Sequence, residues 1–123
     1  MRISSGSPFE PVMGYCRAVK VGDRVVVSGT APSWPDGHVD PDPEAQAVRC
    51  LDIIAAALAE AGGSLADVVR TRVYLVDAAD FDAVARAHGS RFAEIRPANT
   101  TLVVAALLNP AWRVEIEAEA ILH

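Results

Sequence analysis

Three glutamates, Glu115, Glu117 and Glu119, alternate with apolar residues in the run WRVEIEAEAIL near the end of the chain. Spacing by two in an extended strand places them on one face, about 7 Å from each to the next. Unpaired carboxylates so placed repel one another mildly. Arg70 and Arg72, at the same spacing in another strand-like run, offer cross-strand ion pairs for at least two of the three. A second polar group is RPANTT, Arg96 to Thr101, where Asn99, Thr100 and Thr101 stand at the mouth of the apolar run LVVAALL. Such a cluster is either a cap for the strand or the floor of a pocket. Tyr15, beside Gly14, is a third candidate. These residue types can hydrogen-bond a small polar molecule, and a carboxylate can manage its protons.

Stronger motifs are absent, and nothing marks a serine for a Ser-His-Asp arrangement. There is no glycine-rich phosphate loop, no GxSxG elbow, no HExxH and no metal-ligand constellation. Cys16 and Cys50 sit in unrelated contexts and are expected to behave as small buried hydrophobes. No metal or cofactor is expected. A net charge of −5, with eleven scattered Lys and Arg residues, weighs against binding nucleic acid through its phosphates. No apolar stretch approaches the roughly 20 residues that span a bilayer, and MRISSGSPFEP lacks the apolar centre of a secretory signal, so the expected location is the cytoplasm and no membrane partner is expected.

At 123 residues, with 51% hydrophobic and 22% charged side chains, the chain suits one domain over 1–123. Its abundant Ala, Val and Leu leave apolar surface that self-association would hide. RAVKVGDRVVVSG reads as a hairpin of Arg17 to Val21 and Arg24 to Ser28, joined by the two-residue turn Gly22-Asp23. TAPSWPDGHVDPDP is a loop, whose Trp34 is expected to cover the core or a subunit contact. Asp42 caps a helix with Pro43 in its first turn; Val48, Leu51, Ile54, Ala55 and Leu58 face the core, and Gly62-Gly63 end it. Val68 to Val76 is a strand with Val69, Thr71, Val73 and Leu75 on one face and Arg70, Arg72 and Tyr74 on the other. A second helix runs from Asp77 towards Glu94, packing Phe81, Val84, Ala85, His88 and Phe92. Pro97 ends it, Asn99 to Leu107 is expected to be a buried strand, and the glutamate strand follows. The order β-hairpin-α-β-α-β-β, with two helices on one face of a mostly antiparallel sheet, is an α+β sandwich.

The series GYCRAVKVGDRVVVSGTAP, QAVRCLDIIAAALAEAGGSLADVVRTRVYLVD, DFDAV, RPANTT and VEIEAEA resembles the RidA (YjgF) family, over nearly the whole chain. The resemblance implies a chorismate-mutase-like fold assembled as a homotrimer around a barrel of sheets, with three small-molecule clefts between subunits. Archetypal members hydrolyse the reactive imines released by amino-acid dehydratases to 2-keto acids and ammonia, without metal or cofactor. By this resemblance Glu115 is the catalytic carboxylate, Tyr15 lines the cleft and Gly29 gives a backbone contact. Thr30, Asn99, Thr100 and Thr101 are expected to contact the substrate.

One position departs from the pattern. Active deaminases carry arginine as the third residue of P-x-R-S to hold the substrate carboxylate, and here Pro97-Ala98 is followed by Asn99. A charged, bidentate pair is replaced by one neutral hydrogen bond, which should cost on the order of 2–4 kcal/mol, or about 30- to 1000-fold in affinity. Arg17, two residues after Tyr15, is either a substitute cation or an exposed strand residue. The readings that follow are a deaminase-type hydrolase of altered substrate, a non-catalytic module binding a metabolite, and, least favoured by the acidic balance, an endoribonuclease or translation inhibitor.

Overall fold

The computed structural model describes Met1–His123. The expected hairpin is formed by β2 (Ala18–Val21) and β3 (Arg24–Thr30), and Gly22 takes a positive φ of 61°, which a two-residue primed turn demands of its first position. Helix α2 (Pro43–Glu60) starts where the Asp42 carboxylate accepts from the Ala45 amide at 3.1 Å, and the chain leaves it through Gly62 at φ 90°. Strands β4 (Val68–Leu75), β5 (Ala98–Val103) and β6 (Val114–Ile121) and helix α3 (Phe81–Phe92) complete the expected set. Two short elements were not foreseen: β1 (Arg2–Ile3) and α1 (Phe9–Met13). Neither is long enough to show a periodic pattern.

One sheet runs in the order β1-β2-β3-β6-β4-β5. Every neighbouring pair is antiparallel except β4 and β5, which are parallel because α3 carries the chain from one to the other as a crossover. Helix α2 packs on β3 and β6, with α3 beside it. Val114, Ile116, Ala118 and Ala120 of β6 all face this side and are buried against Leu51, Ile54 and Leu58. Three helices and a six-stranded sheet make the chain α+β. None of its helices is long and apolar enough to cross a membrane.

Three expectations require correction. Val69 is not on the core face: the pairing of β4 with β6 slips between Val68 and Arg70, so Val68 is buried and Val69 is 43% exposed. An inserted residue in a ladder reverses the alternation before it. Phe81 is 49% exposed, since a 3-10 turn over Ala78–Asp80 delays the helix and leaves Phe81 at its outer end, while Val84, Ala87 and Phe92 enter the core. Strand β5 is shorter than expected and is not buried. It is an edge strand, with Leu102 and Val103 half exposed and Leu108 beyond it almost wholly so. Apolar composition marks a surface to be covered; it does not say by which chain.

Candidate active site

The glutamate face of β6 lies opposite the helices. Arg72 reaches Glu117 at 3.3 Å and Glu119 at 3.5 Å, Arg24 reaches Glu119 at 3.0 Å, and the Tyr74 hydroxyl donates to Glu117. Two of the three carboxylates are therefore consumed by cross-strand pairs, as the spacing suggested, with Arg24 rather than Arg70 as the second cation. Glu115 takes part in no ion pair and no side-chain hydrogen bond.

Glu115 lies against Gly29 of β3. A Cβ at position 29 would stand 2.7 Å from Glu115 Oε2, so the missing side chain is what lets the carboxylate settle over that strand. Partial burial raises the Glu115 pKa above the ordinary carboxylate value, the Arg17 charge offsets part of this and Glu117 adds to it. A half-buried carboxylic acid with a raised pKa and no partner has the features of a group that exchanges protons with a ligand.

The N-terminal segment places Tyr15 and Arg17. Helix α1 ends at Gly14, whose φ of 85° turns the chain so that the Gly14 and Tyr15 amides both donate to the Glu10 carbonyl, at 2.9 and 3.1 Å. The Glu10 carboxylate accepts from Ser4 Oγ and the Ser5 amide, each at 2.9 Å, and from Ser5 Oγ, which lowers its pKa. From this turn Tyr15 and Arg17 lead into β2. Ala18 pairs with Val27 and both are buried, so Arg17 is on the face away from the helices, the same face as Glu115. Its Nη2 donates to the Gly29 carbonyl at 2.6 Å. Tyr15, Cys16, Ser28, Glu10 and Ser4 border an open depression of about 660 Å³. Cys50 is buried on α2, and desolvation drives its thiol pKa upward, with the Glu115 charge adding to the effect.

Thr30, expected to contact substrate, is fully buried and its hydroxyl donates to the Ser28 carbonyl at 2.8 Å. It sits at the irregularity in the β3–β6 pairing and shapes the strand instead of presenting a group to a ligand. Asn99, Thr100 and Thr101 lie on β5, which Arg96 and Pro97 introduce; Arg96 is the one non-glycine residue with positive φ, at 54°. Asn99 Nδ2 donates to Thr71 Oγ1 at 3.0 Å, Thr101 Oγ1 donates to Asn99 Oδ1 at 2.9 Å, and His88 Nε2 lies 2.8 Å from the same Thr71 hydroxyl. Thr71 faces the helices, so Asn99 is on the opposite side of the sheet from Glu115. One chain does not bring these two residues together. Sequence reasoning assigned no role to Glu10, which lies in a segment without periodicity. Trp34, stacked on His38 with ring centroids 4.9 Å apart, borders a separate depression with Ala45, Val48 and Arg49 of α2.

The model of the family described as Endoribonuclease L-PSP matches residues 6–122. The chain belongs to this family, the YjgF/RidA family. Its fold is that of a Mycobacterium tuberculosis member of the YjgF/YER057c/UK114 family, Rv2704, at a TM-score of 0.92 and 43% identity, covering 99% of this chain and 98% of the other. It is 35% identical over 121 residues to the 3-aminoacrylate deaminase RutC of Acinetobacter baylyi, covering 96% of this chain and 94% of the relative. The 2-iminobutanoate/2-iminopropanoate deaminase of Escherichia coli K12 is 34% identical over 111 residues, covering 87% of this chain and 86% of the relative. The YjgF/RidA assignment thus holds over nearly the full length.

Proposed function

We propose that this YjgF/RidA chain hydrolyses the C–N bond of a small imine or enamine in a cleft formed between copies, with Glu115 managing the water. The observation that carries this reading is the state of Glu115. It alone of the three glutamates is unpaired, and it is partly desolvated over a glycine that makes room for it. As water oxygen bonds to the imine carbon, the C=N π pair moves to nitrogen, which takes a proton from solvent, and the carboxylate takes the proton the water loses. Glu115 then returns its proton to the nitrogen of the resulting carbinolamine, the C–N bond breaks to release ammonia, and the hydroxyl proton passes to the carboxylate as the C=O bond forms. Tyr15 borders the neighbouring depression, and Gly29 makes room for the carboxylate. No cofactor enters any of these steps.

The homotrimer supplies what one chain lacks. The exposed apolar edge at Leu102, Val103 and Leu108, with half-exposed Val26 and Val69, is surface for another copy to cover. In such an assembly the β5 edge of one copy, which carries Asn99, Thr100 and Thr101, would lie beside Tyr15 and Glu115 of the next. Light scattering is expected to give a particle of three 13.0 kDa chains; a monomer at micromolar concentration would remove the shared cleft.

Asn99 offers a neutral amide that Thr71 and Thr101 already occupy. Turnover of 2-iminopropanoate and 2-iminobutanoate is therefore expected to be well below that of an arginine-bearing deaminase. The deciding experiment is a panel of imines generated in situ by amino-acid oxidases, together with 3-aminoacrylate. Acceleration of at least one is expected; none at all would sink hydrolysis. Saturable binding without turnover would instead support a binding module, a reading that the neutral, preoccupied Asn99 favours. Nucleic-acid cleavage has the least support, given a net charge of −5.

Gly29→Ala tests the geometry. The clashing atom is the end of a flexible side chain, so Glu115 is expected to shift and the fold to persist. A displacement of about 1 Å should cost on the order of 10²-fold in activity, with the urea midpoint nearly unchanged. Activity equal to wild type would show that the carboxylate's position is immaterial.

A further inference from the structure

Trp34 is the largest side chain of the loop between β3 and α2, and it is half-exposed. The loop that carries it is held stiffly. Pro32, Pro35, Pro41 and Pro43 restrict its backbone. Arg49 Nε donates to the Ser33 carbonyl at 2.7 Å, the Gly37 amide donates to the Trp34 carbonyl at 2.9 Å, and Gln46 Nε2 holds the Asp40 carbonyl at 2.7 Å. His38 stacks on the indole. The depression beside Trp34 measures about 340 Å³; Ala45 and Val48 of α2 are its other apolar members, and Val48 is continuous with the core. An aromatic side chain fixed at the rim of such a depression has already given up freedom that binding would otherwise take from it.

Charge decides what would cover it. From Trp34 to Asp52 the chain carries five carboxylates, Asp36, Asp40, Asp42, Glu44 and Asp52, and one cation, Arg49, a net of −4 (one minus five) where the whole chain has −5. Arg86 pairs with Glu44, Arg91 pairs with Asp52, and Asp36 has His38. Asp40 and Asp42 have no cation. Asp40 accepts from the Asp42 amide at 2.8 Å, and Asp42, which lines the depression, accepts from the Ala45 amide at 3.1 Å. Two like charges two residues apart repel, and cations brought by a partner would relieve them. We propose that this face docks a basic segment of another protein. An aliphatic side chain of the segment sits on Trp34 and Val48, and Lys or Arg on either side of it meets Asp40 and Asp42. The depression lies on the helix side of the sheet, away from Glu115, so docking neither needs nor blocks the proposed hydrolysis.

The probe is the peptide acetyl-KRLKR-amide, titrated into the full-length, isotope-labelled protein and followed by amide chemical shifts. Saturable binding is expected, with the shifts concentrated in residues 33–52. The peptide acetyl-KRGKR-amide, which lacks the aliphatic side chain, should bind about tenfold more weakly, and acetyl-EELEE-amide should not bind. Trp34→Ala should raise the Kd by about tenfold or more. Asp40→Asn together with Asp42→Asn keeps an oxygen for each backbone amide and removes both charges; it should raise the Kd by about three- to tenfold and flatten its dependence on salt. Asp23→Asn, in the turn between β2 and β3, removes a charge elsewhere and should change the Kd by less than about twofold. Four results would overturn the proposal: no saturable binding to the wild type, shifts spread over carboxylates throughout the chain, an unchanged Kd in Trp34→Ala, or an unchanged Kd in the double Asp variant, which decides alone if Trp34→Ala does not fold. Light scattering on Trp34→Ala covers the remaining occupant. A smaller particle than wild type would assign the depression to a second copy of this chain and likewise overturn docking of a foreign segment.

Discussion

Glu115→Gln is expected to lose about 10²- to 10⁴-fold in hydrolysis of whichever imine the wild type accepts, while its thermal stability at neutral pH rises. The two effects have one origin. Desolvation dominates the surroundings of Glu115 and raises its pKa, so the ionised form that the proposed hydrolysis needs as a base is the form the fold tolerates least. Glutamine keeps the shape and removes the charge. Arg17 opposes the change, because it loses a nearby negative charge, but that attraction is the smaller influence on Glu115.

The pH dependence fixes the sign. A carboxyl whose folded pKa lies above its unfolded value binds protons more tightly when folded. Its contribution favours folding most at acidic pH and is lost as pH rises from the ordinary carboxylate value of 4.5 through the raised one. The melting temperatures of wild type and Glu115→Gln should therefore converge near pH 4 and separate above it, with the variant higher. The gap should be modest, since Glu115 is only half-buried and water screens the charge. A variant less stable than wild type at pH 7 would mean that Arg17 outweighs desolvation. Loss of stability and activity together would point to a structural role.

Much of this arrangement was legible because it is written in local patterns. The alternation of Val114, Ile116, Ala118 and Ala120 with three glutamates defines β6 and its two faces, and the matched spacing of the arginine strand foretold that two glutamates would be paired. What was illegible depends on non-local placement. The bulge at Val69 shows only when β4 is laid against β6, and the exposure of β5 only when the sheet order is known. Asn99 and Glu115 could be assigned to one site by resemblance, but no pattern in the sequence says that they lie on opposite sides of the sheet. Gln46 is the clearest omission. On a helical count it looks like a surface residue near an N-terminus, yet it is fully buried.

Replacing Gln46 should have the largest effect on stability of any polar substitution in the chain. Its Nε2 donates to the Asp40 carbonyl at 2.7 Å and to the Ala111 carbonyl at 3.0 Å, and its Oε1 accepts from the Arg113 amide at 2.7 Å. One side chain thus ties the loop before α2 to the turn that leads into β6. Gln46→Met fills nearly the same volume and leaves three backbone groups without their partner. At about 1–3 kcal/mol each, reduced where water can enter, the expected loss is about 3–5 kcal/mol in urea unfolding. The Arg113 side chain has a second anchor, Nε on Asp80 Oδ2 at 2.7 Å, so the strand entrance should loosen without detaching. Glu115 is two residues further on, and hydrogen exchange at the Arg113 and Glu115 amides should accelerate more than exchange at Glu119, at the far end of the same strand. Uniform acceleration along β6 would mean that Gln46 supports the whole core. A loss below about 1 kcal/mol would mean that water replaces it freely, and that the position of β6 is set by the sheet alone.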